Sequence, residues 1–408
     1  MARRSFHFLF SESRSGGYDG LGLSLIYALG GLLFGLLLIG CTAKSKSNED
    51  NYFQNFGIFD EEKEESISSI RALNRAYNQG SEWYIEFEFS DLKGDLGYEE
   101  GVVRRDPSDV IKVDGIMYVY YTKSTGMTYG FGTSNPENKV FPWDKSDVYY
   151  ASSKDGLTWV EEGVAVARGK KGDFDDRSVF TPQITRVEDK FVLLYQAVKA
   201  PYLNRVKNVV AMAISDSPKG PFIKQPEPIL FPSENGEWFG EEDNRFKAKK
   251  KGSFDSHKVH DPTLIQYDNK FYLYYKGEQI GERLTMGGRE VKWGVAISSK
   301  LEGPYIKSIY NPVTNSGNQV CVWKYDKGIA AMLSTNGPER NTLQWAPDGI
   351  NFEIQSYIRH APESVGLFQF CDFEESQVQA LHVGLTHNVD DNNTQYIRRF
   401  KKTRPLVP

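Results

Sequence analysis

The sequence predicts an all-β fold, a five-bladed β-propeller with an N-terminal helical arm, and three observations carry that prediction. The first is a repeated hairpin at residues 105–121 (RDPSDVIKVDGIMYVYY) and 260–275 (HDPTLIQYDNKFYLYY). Each copy opens on Asp-Pro, runs through an apolar strand and a polar turn, Asp114-Gly115 or Asp268-Asn269, and ends in tandem tyrosines. Weaker copies stand at 181–197 and 321–335. The second observation is an alternating outer hairpin, Ala-x-Ser, then Gly, then an aromatic. It occurs at Ala151/Gly156/Trp159, Ala213/Gly220/Phe222 and Ala296/Gly303/Tyr305, and in reduced form at Ala346/Gly349/Phe352. Inner and outer hairpins alternating every ~50–80 residues are the sequence form of four-stranded blades, an order that a β-sandwich would not produce. The third is composition: aromatic residues make up 13% of the chain, and they suit pleated, half-buried surfaces. Four units plus strands at 377–385 and 395–400 give five blades, placed at 81–408.

In chain order, residues 1–40 read as a lipoprotein signal peptide: Arg3 and Arg4, a polar stretch, and an uncharged apolar run from Leu21 that closes on Leu38-Ile39-Gly40-Cys41. Cleavage before Cys41 and lipidation of its thiol imply a lipid-anchored protein of the cell envelope, at the outer membrane or facing the periplasm. The alternative is one uncleaved membrane anchor, since about 20 apolar residues span a bilayer. Residues 41–60 are polar and read as a tether. Residues 61–80 have Ile67, Ile70, Leu73 and Tyr77 at helical spacing and Gly80 as a stop, so a helix should bury this stripe on its own domain or on a second subunit. Beyond Cys41 only Cys321 and Cys371 remain, which is no disulfide framework, so the fold must stand on its core. The formal net charge is −5 and the cations are scattered, which excludes a nucleic-acid footprint.

Chemistry is expected where inner strands begin, because these line a propeller's channel. Asp106 and Asp261 hold equivalent places, the first beside Arg104 and Arg105, the second after His257, Lys258 and His260. Asp-Pro also caps ordinary turns. The cationic neighbours would keep both carboxylates ionised, and a glycosidase needs such a pair, one to activate water and the other to donate a proton or steer. Asp175, Asp176 and Arg177 would bring further polar groups to the mouth of another blade. No cofactor is required on this reading. A divalent cation on the axis is possible, but the carboxylates already have positive neighbours; a zinc site lacks enough His or Cys nearby.

Blocks such as YEEGVVRRDPS (98–108), VFPWDK (140–145), DDRSVFTP (175–182), SHKVHDP (256–262), YYKGEQ (274–279) and QWAPDGINFEI (344–354) give the chain a resemblance to glycoside hydrolase family 117. That resemblance covers roughly residues 72–353. It implies a five-bladed enzyme that releases 3,6-anhydro-L-galactose from the non-reducing end of neoagaro-oligosaccharides with inversion, and a homodimer through exchanged N-terminal arms. It assigns Asp106 as general base, Asp261 as second axial carboxylate, and Trp143, Arg177, His260 and Glu278 to substrate binding. The chain departs from the pattern at Asn318-Gln319, where active members carry His-Glu as the acid site. Amides have no proton to give near neutral pH. The expectation is therefore an exo-acting galactan hydrolase whose acid comes from elsewhere, with Glu278 as one source; the alternative is a carbohydrate-binding or sensing lipoprotein that keeps the pocket without turnover.

Overall fold

The computed structural model describes residues 83–132, 135–285, 288–368, 381–390 and 394–403. The signal segment, Cys41, the tether, the helical arm at 61–80 and Cys371 lie outside the described residues.

Among the described residues five sheets of four or more strands follow the hairpin order of the sequence, antiparallel except where Lys93–Gly94 pairs parallel with Thr158–Val166, and two further two-stranded ribbons stand outside them. In the second blade Ser178–Val187, Lys190–Val198, Asn208–Ser215 and Ile223–Lys224 run from inner to outer strand, and the third repeats this with Lys258–Tyr267, Lys270–Glu278, Lys292–Ser298 and Ile306–Lys307. The fourth uses Val322–Tyr325, Gly328–Leu333, Thr342–Ala346 and Glu353–Tyr357. In the first blade the inner strand is split into Val102–Arg105 and Ile111–Val113, both paired with Ile116–Thr125. The turns at Asp114-Gly115 and Asp268-Asn269 have positive φ at both residues, as a tight hairpin between twisted strands demands.

The fifth blade differs from the sequence expectation. Its strands are Gly366–Leu367, Val383–Val389 and Gln395–Thr403, and its outer strand comes from the other end of the propeller sequence: Glu86–Asp91 pairs with Gln395–Thr403. That pairing closes the ring, and an alternating EFEFSD segment carries no mark of its distant partner.

The core lies between blades. Ile111, Tyr120, Ile184 and Leu193 fill the seam of blades one and two; Leu194, Met212, Leu264 and Leu273 fill that of two and three. Tyr274, Val295, Ile329 and Leu333 join three to four, and Trp323, Met332, Phe400 and Ile85 join four to five. Val119, Tyr121, Leu385 and Ile397 pack five against one. A fully buried side chain of this size contributes about 1.5–3 kcal/mol, so every seam is a hydrophobic weld.

The second tyrosine of each inner hairpin, and the single Tyr195 at the matching place, have a structural use. Tyr195 Oη donates to Asp175 Oδ2 (3.4 Å) and Tyr275 Oη to Asp255 Oδ2 (2.9 Å), while Lys224 and Lys307 reach the same two oxygens at 2.6 Å each. In blade one Tyr121 Oη donates to Glu161, which also pairs with Lys123. Asp175 thus clips the start of its blade to an outer strand; the expectation that it brings a polar group to the mouth is corrected by its burial in this clip.

Candidate active site

Inner strands meet the axis through single kinked residues. Asp106, Thr181, Asp261 and Ser364 have φ of 50°, 48°, 52° and 53°, and each precedes Pro or Val. Together with Gln319-Val320 these pairs line an open axial cavity. A left-handed backbone is uncommon for non-glycine residues and costly for a β-branched threonine. Register shifts between Phe180 and Gln183 and between His260 and Thr263 accommodate it. The kink takes each residue out of the alternating pleat, so a small polar side chain faces the axis.

Asp106 is 1% exposed and has donors on both oxygens. Oδ2 accepts from Arg105 Nε (2.7 Å), Thr122 Oγ1 (3.2 Å) and Thr181 Oγ1 (3.4 Å). Oδ1 accepts from Gln319 Nε2 (2.7 Å) and Ser364 Oγ (3.0 Å), and His387 Nδ1 stands 3.2 Å away. Burial would raise this pKa, but Arg105 and then His387 outweigh it and hold the carboxyl far below the ordinary range. His387 Nδ1 also lies 3.5 Å from the Asp106 amide nitrogen. It can donate to the carboxylate or accept from the amide, not both, and the shorter, charge-assisted contact favours donation.

Asp261 has the opposite bias. Burial raises its pKa, Lys276 pulls it back, Asp106 pushes it up again, and the net shift is upward. Lys276 Nζ sits 2.5 Å from Asp261 Oδ2 and donates to Asn318 Oδ1 at 2.8 Å. Of the two amides at the expected acid site, Gln319 therefore holds the base and Asn318 holds the lysine of the second carboxylate. With Arg105 and Lys276 already at the two axial carboxylates, the donor set does not fit a divalent cation.

The expected substrate-binding residues lie outside the lining of the cavity. Trp143 carries Phe141 stacked at 4.7 Å and the Arg105 guanidinium at 4.5 Å, and its Nε1 donates to Tyr202 Oη (3.1 Å). Arg177 grips Asp144 through Nε and Nη2 (2.6 Å each) and donates to the Pro136 and Asn138 carbonyls. Its charge is committed to the loop that presents Trp143. His260 Nδ1 is 3.9 Å from Asp261 Oδ1, and its Nε2 is 3.4 Å from Glu278 Oε1. Burial first, then Lys276, keeps this imidazole neutral well below its usual range. Glu278 meets Arg245 (2.8 Å), Arg289 (2.9 Å) and Lys258 (3.5 Å). Burial opposes its ionisation, but these cations hold its pKa well below normal. Glu278 is thus a fixed anion, which excludes it as a proton donor.

Sequence reasoning missed Thr122, Lys276, Ser364 and His387. A signal existed for two of them: the residue after the second tyrosine of each inner hairpin, Thr122 or Lys276, and the matching Gln196 pair in register with the residue before the axial kink, Arg105, His260 and Phe180 respectively. Ser364 and His387 belong to the fifth blade, where the repeat has decayed.

No protein-family model and no curated protein sequence matches the chain. Among solved structures it is similar to Zg3597, a family 117 glycoside hydrolase produced by the marine bacterium Zobellia galactanivorans, with 32% identity, 78% of this chain and 91% of that chain covered, and a TM-score of 0.65. More distant likenesses, to an RGII complex of BT0996 (10% identity, TM-score 0.53, covering 84% of this protein and 96% of that one) and to a glycoside hydrolase (11%, 0.54, 84% and 97%), show the shared fold. The identity and coverage of the first match, together with the kinked axial carboxylates, establish that this chain belongs to glycoside hydrolase family 117.

Proposed function

We propose that the protein is an exo-acting, inverting glycoside hydrolase that takes one terminal sugar of an algal galactan oligosaccharide, of agar, porphyran or carrageenan type, into the axial cavity. The observation that carries this reading is the pair Asp106 and Asp261 lining one axial pocket with protonation tendencies pushed apart, which supports a base and an acid role respectively. Asp106 stays ionised and receives a proton from the attacking water. Asp261 is the axial carboxyl that retains a proton more readily and supplies it to the leaving oxygen, the part that Asn318 and Gln319 cannot play. The family resemblance supplies the galactan class. Lipidation at Cys41, an envelope location and a homodimer through the arm at 61–80 complete the proposal and rest on sequence alone.

The second reading, a sugar-binding lipoprotein without turnover, is favoured by the saturation of Asp106. Both its oxygens accept hydrogen bonds from protein donors, and a water must displace one of them before it can be activated. One assay separates the two. The purified protein is offered neoagaro-, porphyran and carrageenan oligosaccharides, and reducing ends and binding heat are read together. Hydrolysis abolished by both Asp106→Asn and Asp261→Asn supports the enzyme; binding to any of these sugars with no hydrolysis on the whole panel supports the binding protein.

A further inference from the structure

Beside Asp261 the third blade buries a group of charges for which the hydrolytic scheme has no use. Glu278 and Glu282 face Arg245, Arg289 and Lys258, two carboxylates against three cations. The imbalance continues among the donors. Arg245 uses Nη2 on both glutamates, and Arg289 uses Nε and Nη2, but buried Arg245 Nε has no hydrogen-bond partner. His257, 1% exposed, has neither ring nitrogen partnered, and its Nδ1 is 4.0 Å from Glu278 Oε2. His260 Nε2 approaches Glu278 without hydrogen-bond geometry. Buried charges are normally paired and buried polar atoms bonded, so a site with a surplus cation, an idle guanidinium nitrogen and unpartnered imidazole nitrogens is one anion short.

The group is not remote from the sugar. His260 bridges it to Asp261 at the axial cavity, and the Arg289 side chain, 28% exposed, is its outlet to solvent. We propose that this group is an anion subsite of the sugar pocket, taking a sulfate ester or carboxylate on the sugar beside the axial cavity; the inference rests on the oligosaccharide reading above. Lys258 supplies the unmatched charge, and the unpartnered Arg245 Nε supplies a directional donor to an oxyanion. The substrate class is then an acidic galactan fragment rather than a neutral one.

The test compares a sulfated galactan disaccharide, its desulfated twin and a uronate-ended disaccharide by calorimetry, on the wild type and on Lys258→Met. This substitution leaves two carboxylates against two guanidinia, so the group remains charge-balanced. The wild type is expected to bind at least one acidic disaccharide ten-fold or more tighter than the neutral twin, with the ratio falling to about one in Lys258→Met; which acid wins identifies the source of the anion. A wild-type ratio below two, or a ratio that Lys258→Met leaves unchanged, overturns the subsite. If none of the disaccharides binds, the sugar reading fails separately, and inorganic sulfate decides the subsite: sulfate must raise the melting temperature of the wild type more than that of Lys258→Met at equal ionic strength, and equal shifts overturn it.

Discussion

Gln319 Nε2 donates to Asp106 Oδ1 at 2.7 Å, so the residue standing at an expected acid position is bonded to the base itself. An amide cannot donate a proton in catalysis, but it can hold the carboxylate in one rotamer and occupy the face that water needs. The pair Asn318→His with Gln319→Glu removes this hold and installs an imidazole and a carboxyl. Because Asp261 already supplies a proton in the proposed scheme, release of the terminal sugar from a neoagaro-oligosaccharide should rise by about ten-fold or more, short of the roughly 10²–10⁴-fold worth of a first positioned acid. Unchanged turnover in a correctly folded double variant would show that the amides are not what limits the site.

Asp106 joins four of the five blades at the axis through Arg105, Thr122, Thr181, Gln319, Ser364 and His387. Asp106→Asn keeps the shape but loses the charge-assisted bonds, and urea unfolding near neutral pH should show a loss of about 1.5–3 kcal/mol. The pH dependence follows from the sign of the shift. The folded pKa is depressed, so the carboxylate's contribution is present above the unfolded value near pH 4 and is lost as pH falls below it. The stability gap between wild type and Asp106→Asn should therefore narrow between about pH 5 and 3; a constant gap would mean that Asp106 ionises alike in both states.

His387 approaches Asp106 at 3.2 Å, and the contact fixes its tautomer. Long-range nitrogen–proton spectra, with the resonance identified by its loss in His387→Gln, should show Nδ1 protonated at neutral pH. A ring protonated only at Nε2 would reverse the contact, making the Asp106 amide the donor and leaving the base without this support.

The Arg177–Asp144 pair is 4% and 0% exposed. Arg177→Met leaves a buried carboxylate unpaired, and a loss of about 3–5 kcal/mol is expected. Because Arg177 also binds the 136 and 138 carbonyls, the Trp143 environment should change with it. Stability loss without any change in tryptophan emission would separate Arg177 from the loop it is argued to hold.

Ring closure depends on the strand Glu86–Asp91, preceded by Ile85, which is fully buried between blades four and five. Ile85→Ala should cost about 2–5 kcal/mol in chemical unfolding, the penalty for a core cavity. A cost below about 0.5 kcal/mol, on the scale of ordinary surface substitutions, would place the closure elsewhere.

The sequence by itself determined the repeated unit. Alternating apolar residues and tight-turn pairs are local properties, so inner and outer hairpins, the blade count and the axial place of Asp106 and Asp261 could all be read from it. It also marked Asn318 and Gln319 as substitutions. Only the tertiary structure decided what those residues do to one another. Closure by Glu86–Asp91 joins segments some 300 positions apart, and His387 and Ser364 of the blade so completed reach Asp106 in the first. Arg177 and Glu278 look like ligand-binding residues in a linear motif, but burial beside Asp144 in one case and a cationic cluster in the other fixes their charges. Hydrogen-bond partners and protonation are set by distance and dielectric, and neither is a property of neighbouring letters in a chain.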